Sequence, residues 1–185
     1  MILCPQPIYK EDTLMSALHS VVRLIDAFTH HLGRTLAWLC LGMALLTTFV
    51  VVLRYGVNIG SIMAQEAVTY MHGCVFMLGA AYALKTGAHV RVDIFYRGFS
   101  ERARAWVNAL GGIVFLLPLC VFIAGMSWNY VTESWLIRES SPEPGGIPAV
   151  FLLKTLLPAM AINLMLQGIA ETLRNLLVLI EGDEH

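Results

Sequence analysis

The 185-residue chain is 57% hydrophobic and only 14% charged, with a formal net charge of -1 and a mean hydropathy of +0.69. Soluble domains average about 45–50% apolar and about 25% charged residues, so this composition excludes an ordinary soluble domain and indicates a polytopic all-α integral membrane protein. Neither an acidic nor a basic excess points to a nucleic-acid partner.

Cys4, Cys40, Cys74 and Cys120 are widely spaced, and three of them fall inside apolar segments where a thiol packs as a small hydrophobe. Neither a disulfide nor a metal site is expected. Residues 1–34 lack the compact apolar run and small-residue cleavage point of a secretory signal, so the first span is expected to serve also as the targeting signal.

Within that N-terminal segment, Leu14, Leu18, Val21, Val22, Ile25, Phe28 and Leu32 recur three or four apart, and Ser16, His19, Arg23, Asp26 and His30 fill the opposite face. This spacing predicts an amphipathic helix over 14–32, with its apolar stripe in the membrane surface or against a partner. Thr35 to Leu53 then runs nineteen residues without a charge. At about 1.5 Å per residue it covers a hydrocarbon core about 30 Å thick.

The second span, residues 62–84, opens with Gln65, Glu66, Thr69, Tyr70 and His72 and continues with Gly73, Gly79, Ala80, Ala81 and Ala83. Small residues permit close helix approach and polar ones need partners in lipid, so this helix is expected to face protein. The basic turn that follows begins with Gly-Ala-His-Val-Arg-Val-Asp at 87–93. A third uncharged stretch, 105–132, contains Gly111-Gly112 and Pro118, which predict tilt or a kink, and Trp128, Tyr130 and Trp135 near its end form an interfacial belt. The polar connection 133–148, rich in Pro and Gly, reads as a structured loop. A fourth span covers about 149–173, and 175–185 form a tail. The chain therefore divides into an interfacial segment (1–34), a four-helix transmembrane domain (35–174, spans about 35–54, 62–84, 105–132 and 149–173) and the tail.

Sidedness follows from the cations. Lys10, Arg23 and Arg34 precede the first span, Lys85, Arg91, Arg97, Arg102 and Arg104 lie in the turn between spans two and three, and Arg174 ends the fourth; only Arg54, Arg138 and Lys154 lie on the other side. This asymmetry predicts that both termini are cytoplasmic.

Several residues are candidates for more than packing. Glu66 and His72 lie within a span, where an ionisable group is a functional candidate. Glu66, one turn inside its helix, either stays hydrated at the helix N-terminus or forms an ion pair. His72 would suit bis-histidine haem ligation only with a second histidine at its depth, which no other span offers, so a hydrogen-bonded helix contact is expected instead. Lys154 either snorkels to the headgroups or meets a partner, and Asn163, Gln167 and Glu171 form a stripe expected to meet another helix unless Glu171 and Arg174 snorkel too. Arg91, Asp93 and Arg97 form either a docking cluster or an ordinary topological signal. The chain has no phosphate-binding loop, no metal-ligand array and no nucleophile beside a base. Catalytic, substrate-binding and metal residues are therefore not assigned. Four spans with few buried charges are also too few for the usual inverted-repeat transporter, which points to a subunit.

GAHVRVD at 87–93, the ES-x-PEPGGIP run at 139–148 followed by Lys154 and Pro158, and LMLQGIAE at 164–171 occur in an order and spacing that resemble the small permease (Q, or DctQ-type) subunit of tripartite ATP-independent periplasmic (TRAP) transporters. The likeness covers the chain beyond its N-terminal helix and leaves residues 1–13 unassigned. It implies a bacterial inner-membrane scaffold, not an enzyme, that holds a large M subunit carrying the substrate and sodium sites. A periplasmic binding protein would deliver organic acids. The small subunit itself would need no cofactor, and its other contacts would be with membrane lipids. Carried over as fold or interface positions are Gly87, His89, Arg91, Asp93, Glu139, Gly145, Gly146, Pro148, Lys154, Pro158 and Gln167. Two other readings of the residues are a four-helix electron-transfer or lipid-modifying enzyme and a self-sufficient transporter formed by oligomerisation.

Overall fold

A computed structural model describes residues 8–88 and 98–181, with side chains from residue 15 to residue 180. Four helices account for nearly all of them: α1 (Ile8–Gly56), α2 (Ile62–Lys85), α3 (Glu101–Leu136) and α4 (Val150–Glu181). All four are long and apolar enough to cross a membrane, with mean hydropathies of 2.4, 1.4, 2.4 and 1.6 over their best windows. Residues 57–61 and 137–149 lie at one end of the array, the loop end, and residues 86–88 and 98–100 at the other, the turn end.

α1 is one helix of 49 residues, about 73 Å at 1.5 Å per residue and longer than a bilayer of about 40–45 Å with its headgroups. Residues 14–32 are helical as their periodicity predicts, but they are not a separate element. No proline interrupts the backbone near residue 34, and Gly33 lies against the Tyr82 ring of α2, where a side chain would clash. Val22, Thr29 and Leu36 are buried against the other helices, whereas Val21 and Phe28 of the predicted apolar stripe are exposed on the surface of the array. The inward stripe is thus part polar, because α4 supplies partners for it.

α4 is the common neighbour. It packs against α1, α2 and α3, while α1 and α2 pack on each other. Its small and polar residues Ala161, Asn163, Gln167, Ala170 and Thr172 are buried, which fits close helix contact in lipid, where small side chains and hydrogen bonds supply what the hydrophobic effect does not. In α2, only Ala81 is fully buried, so the protein-facing surface expected for that helix is only partly covered within this chain.

The irregularity expected in α3 takes a definite form. Residues Gly112–Leu116 are a π-helical turn directly before Leu117 and Pro118. Proline has no N–H and crowds the carbonyl four residues earlier, and a wider turn accommodates that mismatch.

α2 and α3 end in the same Schellman arrangement. At α2, Gly87 N–H donates to Leu84 C=O and Ala88 N–H to Ala83 C=O, with Gly87 at φ 67°. At α3, Arg138 N–H donates to Trp135 C=O and Glu139 N–H to Ser134 C=O, with Arg138 at φ 49°. Glycine is the usual residue at this left-handed position, and a side chain there costs about 1 kcal/mol or more.

Candidate functional site

Two polar clusters occupy opposite ends of the array. At the loop end, residues 137–149 fold back on themselves: Ser141 N–H donates to Ile147 C=O at 3.2 Å, and Val150 N–H to Glu139 C=O at 3.0 Å. Glu143-Pro144-Gly145-Gly146 forms the tip, closed by Gly146 N–H to Glu143 C=O at 3.0 Å. Proline second and glycine third, the latter at φ 81°, are the residues a type II turn requires.

Glu66 fastens this loop to α2. One carboxylate oxygen accepts the Ser141 hydroxyl and the other accepts the Ile147 N–H at 2.6 Å. The sequence left open whether Glu66 stays hydrated or finds a cation. Its partners are instead a hydroxyl and a backbone amide, and the sequence offered no signal for a loop 75 residues away. Gly146 lies beside this contact, where a Cβ would come within 2.8 Å of Glu66 Oε1 and closer still to the Ser141 side chain. Pro148 is exposed just before α4.

Glu139 fastens the other side. Its Oε2 accepts the Lys154 ammonium at 2.5 Å and the Ser134 hydroxyl at 2.6 Å. The hydrogen bond from Lys154, followed by that from Ser134, holds the Glu139 carboxyl below the ordinary glutamate range. The Lys154 Nζ also lies 4.1 Å from the centroid of the Tyr130 ring, within cation–π range. Lys154 therefore meets a partner inside the chain. Pro158, one turn further along α4, is buried.

The turn-end cluster is built around Gln167, which is 0% exposed. It accepts the Thr29 hydroxyl at 2.8 Å and donates to Asp26 Oδ1 at 3.1 Å, joining α4 to α1. Arg174 bonds Asp26 Oδ2 at 2.6 Å and Glu171 at 2.8 Å. The Lys85 ammonium at the end of α2 caps the Asp26 carbonyl at 2.5 Å. Asn163 is 5% exposed and donates to the Leu78 carbonyl of α2 at 3.0 Å. Along the predicted stripe, Asn163 and Gln167 meet other helices, while Glu171 pairs within α4 and reaches α1 through Arg174. Asp26 and Thr29 are the residues the sequence reading missed. An acid beside a span with a matching arginine at the end of the last helix was the available signal.

His72 is exposed, its ring stacked on Phe76 with centroids 6.2 Å apart. It faces outward rather than into the array, because α2 turns Gly73 toward Leu153 and Leu156 of α4, so no helix of this chain supplies the contact expected for it. Tyr70 Oη and Asn163 Oδ1 are buried without a hydrogen-bond partner among the described residues. His89, Arg91 and Asp93 lie outside the described residues, as does the cluster of Arg91, Asp93 and Arg97. No group of three or more His, Cys, Asp or Glu side chains placed to hold a metal occurs among the described residues.

Both clusters join segments distant in sequence through hydrogen bonds and ion pairs. Such an arrangement stiffens a frame. Among known proteins, the chain is 27% identical over 126 residues to the "C4-dicarboxylate TRAP transporter small permease protein DctQ" of Vibrio cholerae serotype O1, a match that covers 65% of this chain and 54% of that relative. The chain thus spans about half the length of the relative it matches. No solved structure matches it. The family model for the DctQ component of tripartite ATP-independent periplasmic transporters matches residues 43–178, which takes in both polar clusters apart from Asp26 and Thr29, and the chain belongs to this family of membrane transporter components.

Proposed function

We propose that this chain is the non-catalytic small subunit of a sodium-coupled importer of organic acids in the bacterial inner membrane. It holds a large permease subunit in the bilayer and helps form the docking surface for a periplasmic binding protein. The observation that carries this reading is how the polar groups of the spans are used. Glu66, Lys154, Gln167 and Arg174 are each committed to contacts within the chain, so they fix the relative positions of helices and loop and are not free to pass an ion or a carboxylate.

The docking role is supported by the loop end. Glu66 and Glu139 anchor both flanks of the Pro-Gly-Gly tip, which leaves Glu143, Pro144 and Gly145 exposed on a pre-shaped turn. A partner that binds such a turn spends little ordering it. With both termini cytoplasmic, as the placement of Lys and Arg supports, this tip faces the periplasm. The relative's name gives C4-dicarboxylates as its substrate, and small carboxylates are the substrate class we assign to the complete system. The sodium and substrate sites lie on the large subunit.

Co-purification tests the reading. A tagged version of this chain, co-expressed with the large permease subunit of its system, should retain that subunit through detergent extraction and size exclusion. Recovery of the tagged chain alone, or carboxylate uptake by liposomes containing only this chain, would refute it.

A further inference from the structure

We propose that Arg138 binds the phosphate of a phospholipid headgroup at the loop-end membrane boundary, with Trp135 and Phe151 presenting its guanidinium. The backbone first marks the position. Two helices end in the same motif, and where α2 uses Gly87, α3 places an arginine in the left-handed conformation. Glycine would fit there without strain. What the arginine adds is its side chain, whose guanidinium carbon lies 5.7 Å from the Trp135 ring centroid and 5.5 Å from that of Phe151. The two rings meet edge to face at 4.7 Å, and Trp135 is fixed by donating its indole N–H to Thr155 Oγ1 at 2.8 Å.

The charge is held but not neutralised. No carboxylate pairs with Arg138 among the described residues, and the adjacent Glu139 is engaged by Lys154 and Ser134. An arginine so placed keeps a planar set of N–H donors that matches phosphate oxygens. Its depth selects the source of the phosphate. Leu136 and Ile137, immediately before it, are 83% and 73% exposed, and Leu152 beside Phe151 is 49% exposed. Side chains this apolar at the end of a membrane helix lie against acyl chains, and the first cation beyond them lies at the level of the lipid phosphates.

Native mass spectrometry of the full chain in detergent, titrated with dioleoyl phosphatidylglycerol, reads this directly. Arg138→Gly, which relieves the backbone strain, and Arg138→Gln should each weaken the first bound lipid about tenfold, the low end of what one charge-assisted hydrogen bond contributes. Arg54→Gln at the same end should change it less than about twofold, as expected for an exposed cation without a built site. Circular dichroism should show unchanged helix content in all three. Equal lipid affinity in the wild type and both Arg138 variants would overturn the proposal. So would displacement of the lipid by inorganic phosphate at comparable concentration, which would make this a free-anion site, or a loss confined to capture of a soluble binding protein.

Discussion

Gln167→Leu tests whether the turn-end cluster holds α1 to α4. Leucine keeps most of the volume and all of the apolar packing, so the substitution isolates two hydrogen bonds: one from the Thr29 hydroxyl at 2.8 Å and one to Asp26 at 3.1 Å. In water-soluble proteins a neutral bond contributes about 1 kcal/mol and one to a charged group about 1.5–3 kcal/mol. Within membranes the average falls to about 0.6 kcal/mol per bond because the unfolded chain also finds partners. Asp26 keeps Arg174 when Gln167 is lost, whereas Thr29, 1% exposed, keeps a hydroxyl that must turn back to its own helix. These terms predict a loss of about 1.5–2.5 kcal/mol. Reversible unfolding in mixed micelles, or steric trapping with labels on α1 and α4, measures it. A cycle with Thr29→Val should give a coupling of about 0.5–1.5 kcal/mol. A loss below about 0.5 kcal/mol with no coupling would show that α1 is held by packing alone and would refute this account.

Glu66→Ala should release the loop from α2, so the Ile147 amide, now bonded to Glu66 at 2.6 Å, should exchange at least about tenfold faster by hydrogen–deuterium mass spectrometry. Gly146→Ala should have the same effect in milder form, because its methyl group would press on Ser141 and Glu66. The Glu139 clamp should depend on pH in one direction only. Its folded carboxyl titrates below the ordinary value, so its stabilisation is complete above about pH 4.3 and is lost as pH falls through the lower folded value. Protection of residues 137–149 should therefore stay constant from neutral pH to about pH 4.3 and drop below that, and Glu139→Gln should shrink the drop, leaving the share that Glu66 contributes. For topology, a reporter active only in the periplasm should be active when inserted after Gly145 and silent at the C-terminus. The reverse pattern would invert the proposed orientation.

Much of the architecture was legible because apolar length and helical periodicity are local properties. The spans, the interruption in α3 and the structured loop each follow from residues close together in sequence. The clusters were only half legible. Lys154, Asn163 and Gln167 announce themselves as polar groups in apolar helices, but their partners are loop, α2 and α1 residues respectively. Nothing local distinguishes Ser134 or Ser141 from any other small polar residue near a turn. α1 shows the limit most clearly. The choice of which stripe faces inward was made by Gln167 and Arg174, some 140 residues later in the chain, and those partners turned Asp26 and Thr29 inward against the apolar moment.

α4 is also the last of the four helices to leave the ribosome. While α1, α2 and α3 are being inserted, the Leu78 carbonyl, the Thr29 hydroxyl and Asp26 lack the partners that Asn163, Gln167 and Arg174 later provide. α3 has α4 as its main neighbour, so it has little to pack on until the fourth helix arrives. Biogenesis therefore passes through an intermediate with unmet polar groups in the bilayer, and a chain stalled or cleaved before residue 163 should be recognised as incomplete by membrane quality control even though three of its spans are already in place.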